Sequence, residues 1–184
     1  MNFKDYIFIF TLFSILLLAI KSPPSKPEFL EVSISIEEET PPATVKSDYE
    51  LFLDAIGYQE SGNKYHIVNR YGYMGRYQFG KSTLRTLKIK VDKKTFLNNP
   101  QLQEYAMLKL LCYNKSKLQK YIDEFEGQEI NGILVTESGL LAAAHLGGPN
   151  SVKRWFRNGK VAKDGNGVKI TQYMQQFSGY KLYL

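Results

Sequence analysis

The chain has 184 residues, with 24 Lys and Arg against 18 Asp and Glu, so its formal net charge is +6. Its one Cys excludes an internal disulfide, and its two His without matching carboxylate spacing give no ground to predict a metal site or a cofactor. The basic residues are scattered among 13 Tyr, without a basic helix or a nucleic-acid motif, so nucleic acid is not an expected partner.

The first 46 residues predict a targeting segment followed by a linker. Residues 6–20 are almost wholly apolar and flanked by lysines, which is typical of an export signal. Because no good cleavage site follows, residues 1–21 are either a signal peptide or an uncleaved N-terminal anchor in the inner membrane. Residues 22–46 contain five prolines and a run of three Glu, which favours an extended linker. A short strand at 29–36 is the alternative there.

Residues 47–184 predict one domain of ordinary size, long enough for a single core. This segment contains 20 Lys and Arg against 12 Asp and Glu. A basic protein outside the cytoplasm favours anionic partners, such as an acidic cell-wall polymer. Together with the N-terminal segment, this predicts an exported protein of the periplasm or cell envelope.

The first helix of this domain is predicted to begin after Ser47. Ser47 and Glu50 have the spacing of a capping box, and Gly62 is a plausible stop. Apolar residues recur every four positions from Phe52, so Glu60 lies at the C-terminal end of a stripe that faces the core. Burial and the negative end of the helix dipole would raise the carboxyl pKa of Glu60, as a proton donor requires, whereas nearby basic residues would lower it.

Further helices are predicted from N-caps, from Pro at a first helical position and from Gly breakers. They run from Asn99-Pro100 to Glu126, from Thr136 to Gly147-Gly148, from 150 to 156 and from 171 to 177, with a loop at 158–167. Cys112 falls in an apolar helical pattern and is predicted to lie in the core. The expected fold is therefore mainly α, and α+β at most.

A motif with regularly spaced glycines follows the first helix. It consists of Glu60, Ser61, Asn69, Gly72, Gly75 and Gln78. This pattern resembles the first motif of the lytic transglycosylases of the lysozyme-like superfamily. That motif reads E-S, then a polar residue, then G-x-x-G-x-x-Q, and the spacing in this chain fits it without insertion or deletion. Glycine at these positions lets a tight turn bring backbone close to a sugar. The chain departs from the family at Asn63, where an aromatic is usual, and at Arg76 and Tyr77, where apolar residues are usual.

Two further segments resemble family elements. Residues 141–152 are similar to the run A-A-Y-N-A-G-P-x-x-V, with His145 in place of Tyr and Leu146 in place of an Asn that contacts substrate. His145 is therefore the nearest polar candidate for that role, and a core histidine bonded to a backbone carbonyl is an equal alternative. The family also has a Tyr whose hydroxyl approaches the acid, for which Tyr173 is the candidate and Tyr180 the reserve.

The resemblance implies a lysozyme-like helical domain with a substrate cleft and a peptidoglycan lytic transglycosylase activity. Glu60 would protonate the glycosidic oxygen between N-acetylmuramic acid and N-acetylglucosamine. Its carboxylate would then accept the proton of the C6 hydroxyl, which attacks the anomeric carbon and gives a 1,6-anhydro product. The substrate contacts implied are Ser61, Asn69, Tyr77, Gln78, His145 and Tyr173.

Two alternatives stay open, and peptidoglycan strands are the partner in each. One is a lysozyme-type hydrolase with a second carboxylate, although no Asp or Glu occurs between Ser61 and Val91. Glu137, in a second Glu-Ser-Gly tripeptide, is a candidate for that carboxylate. Because Thr136 is a good N-cap, a structural Glu137 at the first helical position is favoured. The other alternative is a non-catalytic peptidoglycan-binding module.

Overall fold

Within the described residues, the first helix begins where the capping box predicts it. A computed structural model describes residues 45–184, which lie within one compact unit. The predicted signal or anchor at 1–21, the strand at 29–36 and the linker up to residue 44 lie outside the described residues. None of the helices within 45–184 combines the length and the apolar character that crossing a bilayer requires.

The described part of the chain is mainly helical, which confirms the predicted class. The helices are α1 (Asp48–Ser61), α2 (Lys81–Thr86), α3 (Lys93–Leu97), α4 (Pro100–Phe125), α5 (Glu137–Gly147), α6 (Pro149–Asn158) and α7 (Ile170–Gln176). Strands β1 (Glu129–Ile130) and β2 (Ile133–Leu134) form an antiparallel hairpin, in which Ile130 is paired with Ile133.

Both ends of α1 form as the sequence predicts. The Glu50 amide donates to the Ser47 hydroxyl at 3.3 Å, and the Ser47 amide donates to the Glu50 carboxylate at 2.8 Å, so the capping box is complete. Gly62 ends the helix in the left-handed region, at φ 64°, and its amide donates to the Tyr58 carbonyl. Phe52 and Ile56 are fully buried, and Glu60 follows them at the helix end.

Helix α4 begins at Pro100, with the Asn99 side chain accepting the Leu102 amide at 2.9 Å. Its inner face includes Met107 and Leu111, which are fully buried. Cys112 is exposed, so the prediction that it lies in the core is wrong. It follows Leu111 by one residue, which on a helix is a rotation of about 100° and turns the side chain away from the core.

Helix α5 is the centre of the domain, and it packs against α4, α6 and α7. Its residues from Ser138 to Ala144 are all buried. A Cβ at Gly139 would lie 2.5 Å from the Met174 carbonyl oxygen, so only Gly allows α7 to approach this closely. The small side chains of α5 therefore bring α7, and with it Tyr173, close to the end of α1.

Candidate active site

A cavity of about 540 Å³ contains the end of α1. It is bounded by the loop after α1 (residues 62–80, here the motif loop), by α2, α4 and α5, and by the loop after α6. Its volume lies in the range of small-molecule sites, which is about 300–1,000 Å³. Glu60, Asn69, Gln78 and His145, which the sequence predicts as site residues, all line it.

Glu60 is held by two side chains from other helices. The Tyr173 hydroxyl of α7 donates to Glu60 Oε1 at 2.7 Å. His145 Nε2 of α5 lies 3.6 Å from the same oxygen. The Glu60 side chain is 16% exposed, so it is largely removed from water but still reached from the cavity. The prediction that the Tyr173 hydroxyl approaches Glu60 is confirmed, whereas the reserve Tyr180 packs on Phe52, with ring centroids 5.5 Å apart.

Opposing effects act on the pKa of Glu60. Burial is the largest and raises the pKa, as the sequence predicts. The nearby His145 imidazole and the hydrogen bond from Tyr173 lower the pKa and together prevail, so the pKa of Glu60 lies below its ordinary value. The groups that lower the pKa are therefore side chains of the site and not the basic residues of the motif loop.

Tyr173 is well suited to remain a hydrogen-bond donor. Burial and the adjacent Glu60 carboxylate raise the pKa of Tyr173 far above its ordinary value. Its ring rests against Phe177, with centroids 5.0 Å apart, which fixes the direction of the hydroxyl. The residue therefore stays protonated and keeps donating to Glu60.

His145 does not have the surroundings of a core histidine that is satisfied by backbone. Its side chain is 7% exposed and its Nε2 faces Glu60, while Nδ1 is buried without a hydrogen-bond partner. The ring meets Phe79 edge-on, with centroids 6.4 Å apart. Of the two alternatives, the placement favours the polar site residue.

Asn69 and Gln78 line the cavity and also shape the motif loop. Asn69 Oδ1 accepts the amides of Tyr71 and Tyr73 at 2.9 and 3.0 Å. Gln78 Nε2 donates to the Gly75 carbonyl at 2.8 Å, and its Oε1 is buried without a partner. The space beside Gly75 is filled by protein, because a Cβ there would lie 2.0 Å from Gln103 Oε1. Gly75 was predicted to allow close approach of a sugar, but the structure shows that it allows close approach of Gln103 instead.

Ser61, Tyr77 and Tyr173, three of the six predicted substrate contacts, are not among the residues that line the cavity. The Ser61 hydroxyl donates to the Arg76 carbonyl at 2.8 Å and accepts the Lys64 amide at 2.9 Å, which closes the base of the motif loop. Tyr77 is fully buried, and its hydroxyl donates to Glu104 Oε2 at 2.6 Å. Exposed aromatic faces at the cavity come instead from Tyr71 and Tyr73.

The three departures from the family motif meet in one polar network. Arg76 is 8% exposed and forms an ion pair with Asp54 and another with Glu104, the latter at 2.9 Å. Its Nε donates to Asn63 Oδ1 at 2.9 Å. Tyr77 donates to the same Glu104, so Asn63, Arg76 and Tyr77 belong to one connected network of polar side chains.

Asp164 and Asn114 are among the polar cavity residues that were not predicted from the sequence. Asp164 lines the cavity, and its Oδ1 accepts the amides of Asn166 and Val168 at 2.9 and 2.8 Å. Asn114 also lines the cavity, from α4, and is fully buried. A usable signal existed for Asn114, because it interrupts the apolar stripe between Leu110 and Leu118. For Asp164 the sequence indicated a loop and no more.

Glu137 is placed outside the cavity lining. It is the first residue of α5, after the N-cap Thr136, and its carboxylate pairs with Lys115 Nζ at 3.0 Å. This position favours the structural interpretation.

Within residues 45–184, no cluster of His, Cys, Asp and Glu has an arrangement that could hold a metal ion. In comparisons with protein-family models, curated proteins and solved structures, no match to this chain was found.

Proposed function

We propose that this protein is a lysozyme-like lytic transglycosylase that cleaves peptidoglycan between N-acetylmuramic acid and N-acetylglucosamine. The observation that carries the proposal is the 2.7 Å hydrogen bond from Tyr173 to Glu60 at the wall of the cavity. The lytic transglycosylases have a Tyr whose hydroxyl approaches the acid, and the sequence predicts Tyr173 for that position. The observed bond therefore supports the proposal. The glycine-spaced motif and the acid lie on the same cavity, which is a second support.

In the first step, Glu60 donates a proton to the glycosidic oxygen as the bond to the anomeric carbon breaks. Tyr173 already donates to Oε1, which leaves Oε2 as the oxygen that can hold the transferable proton. Substrate in the cavity would remove the remaining water from Glu60. Desolvation then raises its pKa toward the range in which a carboxylic acid can act near neutral pH.

In the second step, the Glu60 carboxylate accepts the proton of the C6 hydroxyl, whose oxygen attacks the anomeric carbon. The proton leaves the sugar and returns to Glu60, so the acid is regenerated and a 1,6-anhydro product is formed without water. The Tyr173 hydroxyl and His145 Nε2 face the carboxylate and stabilise its charge between the two steps.

A lysozyme-type hydrolase is the second candidate, and Asp164 is the observation that favours it. Its carboxylate lines the same cavity as Glu60 and is fixed in place by two backbone amides. A second carboxylate in this position could activate water, which would give a reducing end instead of an anhydro end.

The setting proposed for this activity is the periplasm or cell envelope, with peptidoglycan strands as the partner and inner-membrane anchoring through residues 1–21 as an open alternative. The excess of basic residues in 47–184 suits an anionic wall polymer.

Mass spectrometry of the muropeptides released from purified cell walls tests the proposal. Anhydro ends from the wild type, retained in Asp164→Asn, are the expected result. Reducing ends that disappear in Asp164→Asn would establish the hydrolase instead. Binding to walls without release of any fragment would leave only the non-catalytic module.

A further inference from the structure

The unsatisfied polar atoms of residues 45–184 are concentrated in the cavity. The buried side-chain N and O atoms without a hydrogen-bond partner belong to Gln78, Asn114 and His145. All three residues line the cavity that contains Glu60. Buried polar groups are normally paired, so a cluster of unpaired ones at a cavity indicates a ligand that pairs with them.

Asn114 is the most unusual of the three. It is fully buried on α4, and neither Oδ1 nor Nδ2 has a partner in the protein. Its neighbours one turn away, Leu110 and Leu118, are buried apolar residues. An apolar side chain of the same size would therefore be the stabilising choice at this position. Its amide is explained by binding and not by folding.

Gln103, on the same helix, shows what a structural amide looks like here. It is also fully buried, but its Nε2 donates to the carbonyls of Tyr65 and Phe96 at 3.0 and 2.9 Å. Its Oε1 accepts the Arg76 amide at 2.9 Å. Gln103 therefore uses its amide for folding, whereas the amide of Asn114 on the same helix is left free.

We propose that Asn114 is a specificity-determining residue that binds the acetamido group of the sugar. Nδ2 donates to the acetamido carbonyl, and Oδ1 accepts a sugar hydroxyl. Gln78 Nε2 already donates to the Gly75 carbonyl, so the free Gln78 Oε1 accepts the acetamido N–H. Leu110 and Tyr113, which line the cavity near Asn114, can take the methyl group.

This subsite rests on the proposed function only in that both use one cavity, so binding can be tested without cleavage. The full-length protein carrying Glu60→Gln is titrated with a tetramer of N-acetylglucosamine and with its de-N-acetylated counterpart, a glucosamine tetramer. We expect the acetylated tetramer to bind at least about tenfold more tightly, because the glucosamine tetramer leaves the buried amides unpaired.

Asn114→Leu, with Gln103→Leu as the matched control, identifies the residue responsible. Asn114→Leu is expected to keep or raise the thermal midpoint of unfolding and to lose most of the preference for the acetylated tetramer. Gln103→Leu is expected to lower the midpoint, because it removes three hydrogen bonds to backbone groups and leaves the Arg76 amide and the Tyr65 carbonyl unpaired. Asn114→Ala serves as a second variant if the Leu side chain does not fit.

Three results overturn the subsite: equal binding of both tetramers, a preference that survives both Asn114 variants, or a fall in the midpoint for Asn114→Leu with the preference intact. The last result would mean that an internal water holds Asn114. If the wild type prefers the acetylated tetramer through Asn114 but releases nothing from cell walls, the subsite stands and the proposed function fails.

Discussion

Three side chains from three helices determine what the cavity can do chemically. Glu60 ends α1, His145 lies near the end of α5 and Tyr173 lies in α7, and both of the latter face the same oxygen of Glu60. Burial favours the neutral acid, whereas the two partners favour the carboxylate. In the free site the two partners prevail, so the carboxylate is favoured, and in the proposed reaction the desolvation brought by substrate would have to restore the acid.

Glu60→Gln tests the role of the acid. Glutamine keeps the shape and can still accept from Tyr173, but it cannot donate and retake a proton. We expect the fold to remain and wall cleavage to fall by at least roughly 10²–10⁴-fold, measured as muropeptide release. Glu137→Gln, the matched control outside the cavity lining, should keep most of the activity. The reverse pattern would place the acid at Glu137.

His145→Gln tests the coupling between the imidazole and the acid. Removing the imidazole, whose Nε2 lies 3.6 Å from Glu60 Oε1, leaves burial dominant, so the pKa of Glu60 should rise. Carbon-13 NMR titration of the Glu60 carboxyl measures this directly, and the alkaline limb of the cleavage profile should move to higher pH. Tyr173→Phe should raise the same pKa by less, because its hydrogen bond is the smaller contribution. An unchanged pKa in His145→Gln would show that the 3.6 Å contact carries no charge interaction.

At the scale of elements, the motif loop keeps its shape through polar contacts with α1 and α4. Arg76 connects the loop to Asp54 of α1 and to Glu104 of α4, and Gln103 of α4 fills the space that Gly75 leaves. The loop therefore behaves as a fixed part of the domain, and Asn69 and Gln78 keep their places at the cavity.

Arg76→Leu tests this support. Loss of the guanidinium removes one ion pair from each of Asp54 and Glu104, so we expect the free energy of unfolding to fall by about 2–3 kcal/mol in urea titration. This is below the range for fully buried pairs, because the Asp54 and Glu104 side chains are 36% and 32% exposed. Lys46→Ala removes another partner of Asp54, but Lys46 is 58% exposed and should cost less than about 1 kcal/mol. Equal effects would contradict the special role of Arg76.

The two loops that border the cavity are joined to each other. Arg70 Nη2 donates to Asn166 Oδ1 at 3.0 Å, and the Tyr71 hydroxyl donates to the Gly165 carbonyl at 3.3 Å. Because Tyr71, Gly165 and Asn166 all line the cavity, this bridge closes one of its sides. A cavity with one closed side favours binding of the end of a glycan strand over binding of its middle.

Asn166→Ala should weaken the bridge and increase internal cleavage of long strands relative to release from ends. The chain-length distribution of glycan remaining after partial digestion measures the ratio. Asn158→Ala is the control, because Asn158 bonds only the nearby Lys160 amide and does not line the cavity. A distribution unchanged by Asn166→Ala would show that the bridge does not select strand ends.

Elements with strong local end signals were predicted well from the sequence, and those formed by tertiary contacts were not. The starts of α1, α4 and α5 follow from Ser47, Asn99-Pro100 and Thr136, whose side chains or rings act within the first turn. Helices α2 and α3 have six and five residues and no long apolar period, so they escaped prediction. The hairpin could have been found, since Asn131-Gly132 is the strongest two-residue hairpin signal.

Side-chain placement in the site was predictable only where the motif fixes it. Glu60 and Tyr173 were found because each belongs to a recognisable pattern. Tyr77 was assigned to the cavity as an aromatic near the acid, but its hydroxyl is needed by Glu104 and its ring by the core. Asn114 interrupts the apolar stripe of α4, which marks it as unusual, but only the tertiary packing of α4 brings it to the cavity of Glu60.

On the scale of the whole molecule, every cavity residue that the structure describes lies after residue 45. Helix α5 holds α4, α6 and α7 together through buried small residues, and α1 contributes Phe52 and Ile56 to the same core. The groups that bond Glu60 and the loops that border the cavity all belong to residues 47–184. Catalysis is therefore expected to need no residue from the N-terminal segment.

A chain that begins at residue 45 tests whether catalysis needs the N-terminal segment. It retains Lys46, which pairs with Asp54, and the Ser47 cap of α1. Because the described core and cavity lining lie within residues 45–184, we expect cooperative thermal unfolding and release of muropeptides at a rate within about twofold of the full-length protein on soluble fragments. On intact walls the full-length protein can be faster if an anchor holds it near its substrate, as an effective concentration would. A truncated chain that fails to unfold cooperatively would show that residues 29–36 belong to the core, whereas one that folds but does not cleave soluble fragments would assign the N-terminal segment a part in the active site.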